Sequence, residues 1–286
     1  MWDDIKERFL DLAERGEISA ALDLGNQALR EMEEAFGSDS PALTACLTNM
    51  AELHRKKGDL AAAEPLWERI LQIRRKALGP HHPDVAASMN NLGGAYFEQG
   101  KFAQAERQFL GAVRILEKAL GPSDPGVALA LGNLAATYVA QEKYPGAKAL
   151  YDKILGIQEK ALGPDHVEVG MCLNSLGSIM ELNSRFSEAE HYYSRALGIA
   201  EKVFGPSHPH VASSLMNVAG ALIGQKKYYH AEEYIARSIQ IWESSIGLGH
   251  PSLAPALESI AEFYEMIGKT AEAHRLKAFV SHCACS

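Results

Sequence analysis

Cysteine is scarce in this chain: four in 286 residues, at Cys46, Cys172, Cys283 and Cys285. That is too few for a disulfide framework of this length, so a reducing compartment such as the cytoplasm is expected. No apolar run approaches the roughly 18 residues that a membrane-spanning helix needs. The opening residues Met1-Trp2-Asp3-Asp4-Ile5-Lys6-Glu7 have neither the basic end nor the apolar stretch of a signal peptide. Basic charge is also short, 28 Lys and Arg against 36 Asp and Glu. A net charge of −8 excludes a broad phosphate-binding surface, so neither nucleic acid nor membrane is expected as a partner. Period-two alternation is missing over any useful length, which removes half-buried strands. The signatures of chemistry are missing too. There is no Gly-x-Ser-x-Gly elbow, phosphate-binding Gly-rich loop, His-Glu-x-x-His or Cys-x-x-Cys. A non-enzyme without cofactor or metal is expected. What the chain does have is apolar residues, 47% against 22% charged, enough for a substantial core and too many for a disordered chain.

Those residues repeat. Leu78-Gly79-Pro80-His81-His82-Pro83-Asp84-Val85-Ala86 returns as Leu120-Gly121-Pro122-Ser123-Asp124-Pro125-Gly126-Val127-Ala128, and weaker copies begin at Phe36, Leu162, Phe204 and Ile246. The glycines of this connector, Gly37, Gly79, Gly121, Gly163, Gly205 and Gly247, are all 42 residues apart. A second ladder in the same register is Ala21, Ala63, Ala105, Ala147, Ala189, Ala231 and Ala273. One repeat array therefore fills the chain.

Each unit reads as two helices. In 85–98, Met89, Leu92, Gly93 and Tyr96 fall at the i, i+3, i+4, i+7 spacing of one helix face. Gly100 and Lys101 mark a helix end and a short turn. A second helix is expected from about Phe102 to Ala119, with Ala105, Phe109, Ala112 and Leu116 as its buried stripe. Gly121 ends it, and Pro125 suits the first turn of the next helix, where its missing N–H would be unpaired anyway.

Leu92-Gly93-x-x-Tyr96, then Gly100, Ala105, Phe109 and Ala112, match the tetratricopeptide repeat pattern. The Leu92 place is held elsewhere by Met50, Leu134, Leu176, Val218 and Ile260. The Gly93 place is always small (Ala51, Ala135, Gly177, Ala219, Ala261), and the Phe109 place holds Trp67, Tyr151, Tyr193 and Ile235. HEAT repeats have a similar length but would not explain this small/large ladder. The period is 42 rather than about 34 residues, and the extra length would add roughly 12 Å if helical. With the connector and Asn91-Leu92, the chain resembles the repeat domain of kinesin light chains; the heptad coiled coil that those proteins also carry is not in this sequence. The resemblance implies an all-α fold, a right-handed superhelical solenoid of about seven antiparallel helix pairs. The units would be about 1–37, 38–79, 80–121, 122–163, 164–205, 206–247 and 248–281, followed by a flexible tail at 282–286. It further implies a concave side lined by the first helix of each pair, where such arrays bind peptides.

A helical wheel finds a stripe suited to that use. With Leu92 on the core side, Ala87, Asn91, Gly94 and Glu98 share the neighbouring face. Its middle place is held in the other units by Asn49, Asn133, Ser175, Asn217 and Ser259. An amide both donates and accepts, so it can pair with a peptide backbone whatever the peptide's side chains; the plain alternative is that these residues bond neighbouring helices or local backbone. The stripe continues as Leu129, Asn133, Ala136, Ala140, then Met171, Ser175, Ser178, Leu182, then Ser213, Asn217, Gly220, Gly224, none of them charged. Glu52, Lys56, Glu98 and Glu262 lie nearer the ends. The basic clamps that chaperone-binding tetratricopeptide arrays and kinesin light chains use for acidic ligands are not visible, so an extended segment with apolar side chains fits better than an acidic tail.

The remaining residues receive plainer readings. His82, His208 and His250 each precede a connector proline and His166 precedes Val167; they are a full repeat apart, too far to share one metal ion, and read as capping groups. Cys46 and Cys172 read as small core residues, and the carboxylates of the helix surfaces as a solvated face. Arg74-Arg75-Lys76 suits a helix C-terminus. Cys283-Ala284-Cys285-Ser286 formally fits a Cys-a-a-X lipidation signal, but no polybasic segment accompanies it, and a frayed tail is expected. The function expected is a protein-protein interaction scaffold or adaptor binding an extended peptide segment in its groove. The alternatives are self-association of a structural repeat protein, for which Trp2, Trp242 and Phe279 near the array ends would serve, or a regulatory module of a separately encoded enzyme.

Overall fold

Two glycine-bearing links set the rhythm of the chain, and their backbones differ. At the connector, Gly37, Gly79, Gly121 and Gly205 lie at φ between 84 and 96° with ψ between 150 and 157°. That region is essentially closed to any residue with a Cβ, which is why these four connector places are glycine. The tight turn inside each pair needs only the left-handed region: Gly16, Gly58, Gly100 and Gly268 have φ between 71 and 82°. There a short excursion by an L residue is tolerated at a cost, and Glu142, Ser184 and Lys226 take the place in the middle pairs, with φ of 59, 55 and 62°.

A computed structural model describes residues 2–283, with side chains over residues 2–280. Between the links lie fourteen α-helices among the described residues: α1 (Trp2–Glu14), α2 (Ile18–Phe36), α3 (Thr44–Lys56), α4 (Leu60–Leu78), α5 (Pro83–Glu98), α6 (Phe102–Leu120), α7 (Pro125–Ala140), α8 (Tyr144–Leu162), α9 (Val167–Leu182), α10 (Phe186–Phe204), α11 (Pro209–Gly224), α12 (Tyr228–Ser245), α13 (Ala254–Met266) and α14 (Thr270–Cys283). Single 3-10 turns at Pro41–Leu43 and Pro251–Leu253 precede α3 and α13. The chain is all-α, a repeat solenoid of helix pairs. In a full repeat, 16 residues form the first helix and 19 the second, so nearly all of the 42-residue period is helical. By contacts the chain forms two compact units, Met1–Leu150 and Tyr151–Ser286, divided within α8. Residues 284–286, and with them most of the Cys-a-a-X motif, lie outside the described residues.

Each connector also carries a cap. Ser40 Oγ accepts from the Ala42 N–H (3.4 Å), and Asp124 Oδ1 from Gly126 (2.8 Å). The Nδ1 atoms of His82, His166, His208 and His250 accept from the N–H two residues on, at 3.1 to 3.3 Å. The connector histidines are thus the capping groups that their register implied.

Packing follows the two ladders. All seven alanines of the 42-residue ladder, Ala21 to Ala273, have no exposed surface. In two units the small place is glycine because the ring opposite leaves no room for a Cβ, while Ala51 and Ala135 stand opposite Trp67 and Tyr151. A Cβ on Gly93 would come within 2.7 Å of the Phe109 ring, and one on Gly177 within 2.5 Å of the Tyr193 ring. In the C-terminal unit Val169, Leu173, Ala196 and Ile199 form a core cluster with Leu155 and Tyr192 packed against it. The α6 stripe is buried at Ala105, Phe109 and Ala112, but Leu116 is only half-buried. Contact with both α5 and α7 spreads burial to Val113 and Ile115 on either side.

Many surface charges are engaged between repeats rather than simply solvated. The lysine before one second helix reaches the glutamate of the previous one: Lys101–Glu64 (2.7 Å), Lys143–Glu106 (2.8 Å), Lys227–Glu190 (3.1 Å) and Lys269–Glu232. Beside them Gln99, Gln141 and Gln225 donate to the first carbonyls of α4, α6 and α10, at 3.4, 3.2 and 3.2 Å. Those amides sit at the same place in their repeats and tie each first helix to the pair before it. Arg74 belongs to the same class of ties, donating to Ser88 Oγ at 2.9 Å and the Asp84 carbonyl at 3.2 Å. A single exposed ion pair contributes about 0–1 kcal/mol; the repetition, more than any one pair, holds the register.

Trp2 and Trp242 are not surface aromatics. They are 4% and 3% exposed, and Trp2 lies edge-to-face on Phe9 with ring centroids 5.4 Å apart. Only Phe279 of that set is half-buried. Neither tryptophan presents a face to a second copy.

Candidate functional site

The first helix of each pair keeps one face free of its partner, because Leu and Gly places turn inward and the Asn/Ser place turns away. In the N-terminal unit, Asn91 is exposed, while Asn49, Asn133 and Ala136 are half-buried. Gly94, Phe97 and Glu98 of α5 meet Asn133 and Ala136 of α7 around an open cavity of about 230 Å³ floored by Phe109 of α6. Asn133 has no hydrogen-bond partner for its side chain among the described residues; the one nearby bond, from Thr137 Oγ1, goes to its backbone carbonyl at 2.9 Å. Asn49 and Asn91 stand outside that cavity. Across α3 and α5 the stripe is charged: Arg55 donates to Glu52 (2.9 Å) and to Glu98 (3.1 Å), and this salt bridge raises the arginine's pKa.

The C-terminal unit has an opening of about 290 Å³ between α9 and α11 over α10. Met171 of α9 and Ser213 and Asn217 of α11, all stripe residues, line its mouth, and Ala196, Ile199 and Ala200 form its floor. Asn217 Nδ2 donates to Asn174 Oδ1 at 3.4 Å, so here the plainer reading of the asparagine, a bond between neighbouring helices, is realised. Ser175 Oγ donates to the Met171 carbonyl within its own helix (3.2 Å), and Ser178 is exposed. Met171 and Leu182, at the two ends of the α9 stripe, are 65% and 53% exposed. Asn174 and His210, which also line the opening, were not singled out by the wheel. Asn174 sits one residue before Ser175, about 100° round the helix, and only the approach of α11 brings it to the same opening.

Burial pushes the Cys46 and Cys172 thiols up to about 12, far from the thiolate that reacts. Both are small core residues, their sulfurs against the Gly25 and Tyr151 carbonyls at 3.7 and 3.4 Å. Burial and the Glu68 carboxylate raise Tyr96 to about 12, and its hydroxyl donates to Glu68 at 2.8 Å. Among the described residues no three His, Cys, Asp or Glu side chains cluster to hold a metal ion. No helix there is long and apolar enough to cross a membrane.

The pairing of helices, the inward alanine ladder and the open face of the first helices define an all-α helix-pair repeat protein. The tetratricopeptide repeat model matches residues 43–118, 89–155, 126–202 and 210–277, and the chain belongs to that family. No curated protein matches its sequence significantly. Among solved structures, a kinesin light chain-type protein of Podosopora anserina with nearly identical TPR-like repeats is similar over 72% of this chain and 97% of its own, with 23% identity and a TM-score of 0.66. BtubC (BKLC) of P. vanneervenii is similar over 82% and 92%, with 22% identity and a TM-score of 0.68. The apo form of RapI is similar over 97% and 95%, with 14% identity and a TM-score of 0.62. These likenesses are of fold: kinesin light chain-like tetratricopeptide repeats. Proteins of this family generally mediate protein-protein interactions, and the fold is typically non-catalytic.

Proposed function

We propose that the chain is a non-catalytic scaffold or adaptor that holds an extended peptide segment of a protein partner against its first helices, as one repeat array over residues 1–281 acting in the cytoplasm. The 42-residue register runs without insertion through α8, and the two buried thiols suit a reducing setting. One observation carries the reading. In each unit, stripe residues from two consecutive first helices line an open and largely uncharged cavity, and in the N-terminal unit an asparagine without a side-chain partner faces it. A half-buried amide that the fold leaves unpaired is suited to a peptide backbone, which presents one donor and one acceptor per residue. The groove residues in this reading are Asn49, Asn91, Asn133, Ala136, Ser175, Ser178 and Asn217. Self-assembly loses two of its three supporting aromatics, since Trp2 and Trp242 are buried.

The test compares Asn133→Ala with His166→Ala, using a partner captured from the native source and then purified. Asn133→Ala should leave the melting temperature within about a degree and weaken binding by about 0.5–1.5 kcal/mol, one net hydrogen bond. His166→Ala removes a cap, so it should lower stability by about 1 kcal/mol and leave affinity alone. A destabilised Asn133→Ala chain with normal affinity below its melting point would sink the groove.

A further inference from the structure

Glu181 stands apart from the stripe it interrupts. It lies on α9 between Ser178 and Leu182, and its side chain is pinned from below: the hydroxyl of buried Tyr193 donates to Oε2 at 3.0 Å. Its other oxygen, Oε1, is beside α11, where a Cβ on Gly220 would meet it at 3.2 Å. Gly220 is itself a stripe residue, so the carboxylate reaches the uncharged surface that α9 and α11 share. The open cavity of about 290 Å³ lies on the same pair of helices, one to two turns nearer their N-termini, with Met171, Asn174 and Asn217 at its mouth.

Resting on the groove reading above, we propose that this face of the C-terminal unit selects a segment with an aliphatic or aromatic side chain and, three residues away, a lysine or arginine. The apolar side chain enters the cavity over Ala196 and Ile199, and the cation meets Glu181 Oε1. The spacing follows from helix geometry. Asn174 and Glu181 are seven residues apart on α9, about 10.5 Å of rise. An extended ligand advances about 3.3 Å per residue, so three residues cover the same distance. The sign follows from charge. Met171, Ser175, Ser178 and Leu182 on α9 and Ser213, Asn217, Gly220 and Gly224 on α11 bring no charge, which leaves Glu181 to set the field there. A carboxylate held by Tyr193 is already oriented, so little freedom is lost when it binds a cation. The Asn174–Asn217 bond leaves an amide N–H of Asn174 and the Asn217 carbonyl oxygen for the backbone between the two anchors.

Position-scanning libraries of acetylated and amidated nine-residue peptides test this, titrated against the full chain and against Glu181→Gln and Ser213→Trp. The variant Glu181→Gln keeps an acceptor for Tyr193 and removes only the charge. Ser213 is exposed at the cavity mouth, so Ser213→Trp blocks entry without touching the core. In the full chain, pools with an apolar residue and a lysine or arginine three places apart, in either chain direction, should bind about tenfold tighter than pools with glutamate in the second place. Glu181→Gln should shrink that ratio about fivefold with an unchanged melt, the scale of one accessible charge pair. Ser213→Trp should abolish the preference for the apolar place. A preference for acidic residues, a different spacing, or an unchanged ratio in Glu181→Gln overturns the selectivity and leaves the groove reading standing. So does association of the chain with itself that bound peptide does not compete. If no pool binds the full chain, the groove reading falls and this inference with it.

Discussion

Replacing Gly198 by alanine should stabilise the chain, whereas replacing Gly177 should leave it no more stable or destabilise it. Both glycines are interior to helices, α9 and α10, where alanine is intrinsically better by about 1 kcal/mol. At Gly198 a Cβ would find nothing within 4 Å, so the gain should be realised in full. At Gly177 a Cβ would lie 2.5, 2.6 and 2.9 Å from three atoms of the Tyr193 ring. The ring is 4% exposed and its hydroxyl is bonded to Glu181 at 3.0 Å, so it has no easy retreat. Overpacking of that kind costs about 1–3 kcal/mol, which cancels or outweighs the helix gain. The difference between the two variants should therefore be about 1–3 kcal/mol. Ala219 faces Ile235 at the same place one repeat on, so Tyr193→Ile should make room. Combined with Gly177→Ala it should be less damaging than the sum of the two single changes, by about 1 kcal/mol of coupling. Urea unfolding followed by circular dichroism reads all four variants. Equal stabilisation by Gly177→Ala and Gly198→Ala, or strict additivity with Tyr193→Ile, would refute the account of why glycine stands opposite the Tyr193 ring.

Two further predictions bear on the links and the charges. Lys226 holds φ 62° in the turn after α11; Lys226→Gly should stabilise by about 0.5–1 kcal/mol in urea melts, whereas Gly121→Ala in the connector should destabilise by about 1–3 kcal/mol. Hydrogen bonds from Lys101 and Lys143 hold Glu64 and Glu106 below the usual carboxylate range, and at Glu190 burial pushes upward but the bonds from Gln225 and Lys227 prevail. The unfolded chain then binds protons more readily, so this contribution is complete above about pH 4.3 and is lost as pH falls through the lower folded values. Melting temperature should fall below about pH 4, and Glu64→Gln with Glu106→Gln should flatten that acid limb; an unchanged limb would show that the pairs are not coupled to folding.

The fold was legible because a repeat states its rules many times over. The small place at Gly93 and Gly177, the alanine ladder and the connector glycine recur every 42 residues, and helix boundaries read from one unit fall within about two residues of α5 and α6. What recurs is what packing or backbone geometry demands. Trp242 shares its place in the second helix with Leu116, which the stripe reads as buried, and with Met32, Arg74, Gln158 and Ala200. No one residue type recurs there to mark the place as inward, yet Trp242 is buried. The Lys101–Glu64 type of tie was written in the sequence as two separate ladders, and only the facing of neighbouring second helices shows that places 37 residues apart touch.

The site shows the limit more sharply. A wheel drawn on one helix finds Asn133, Met171 and Asn217, since each belongs to a face that its own helix defines. It cannot find that Asn174 answers Asn217, or that Glu181 reaches Gly220, because those are properties of two helices and the distance between them. Glu181 stands where the preceding repeat has Val139 and the following one Ile223. Binding residues have no reason to obey the period, since a partner segment does not repeat every 42 residues. Departures from the ladders on the open face of the first helices are therefore where specificity is written, and Glu181 is such a departure, held in place by a tyrosine where the ladder demands only a large side chain.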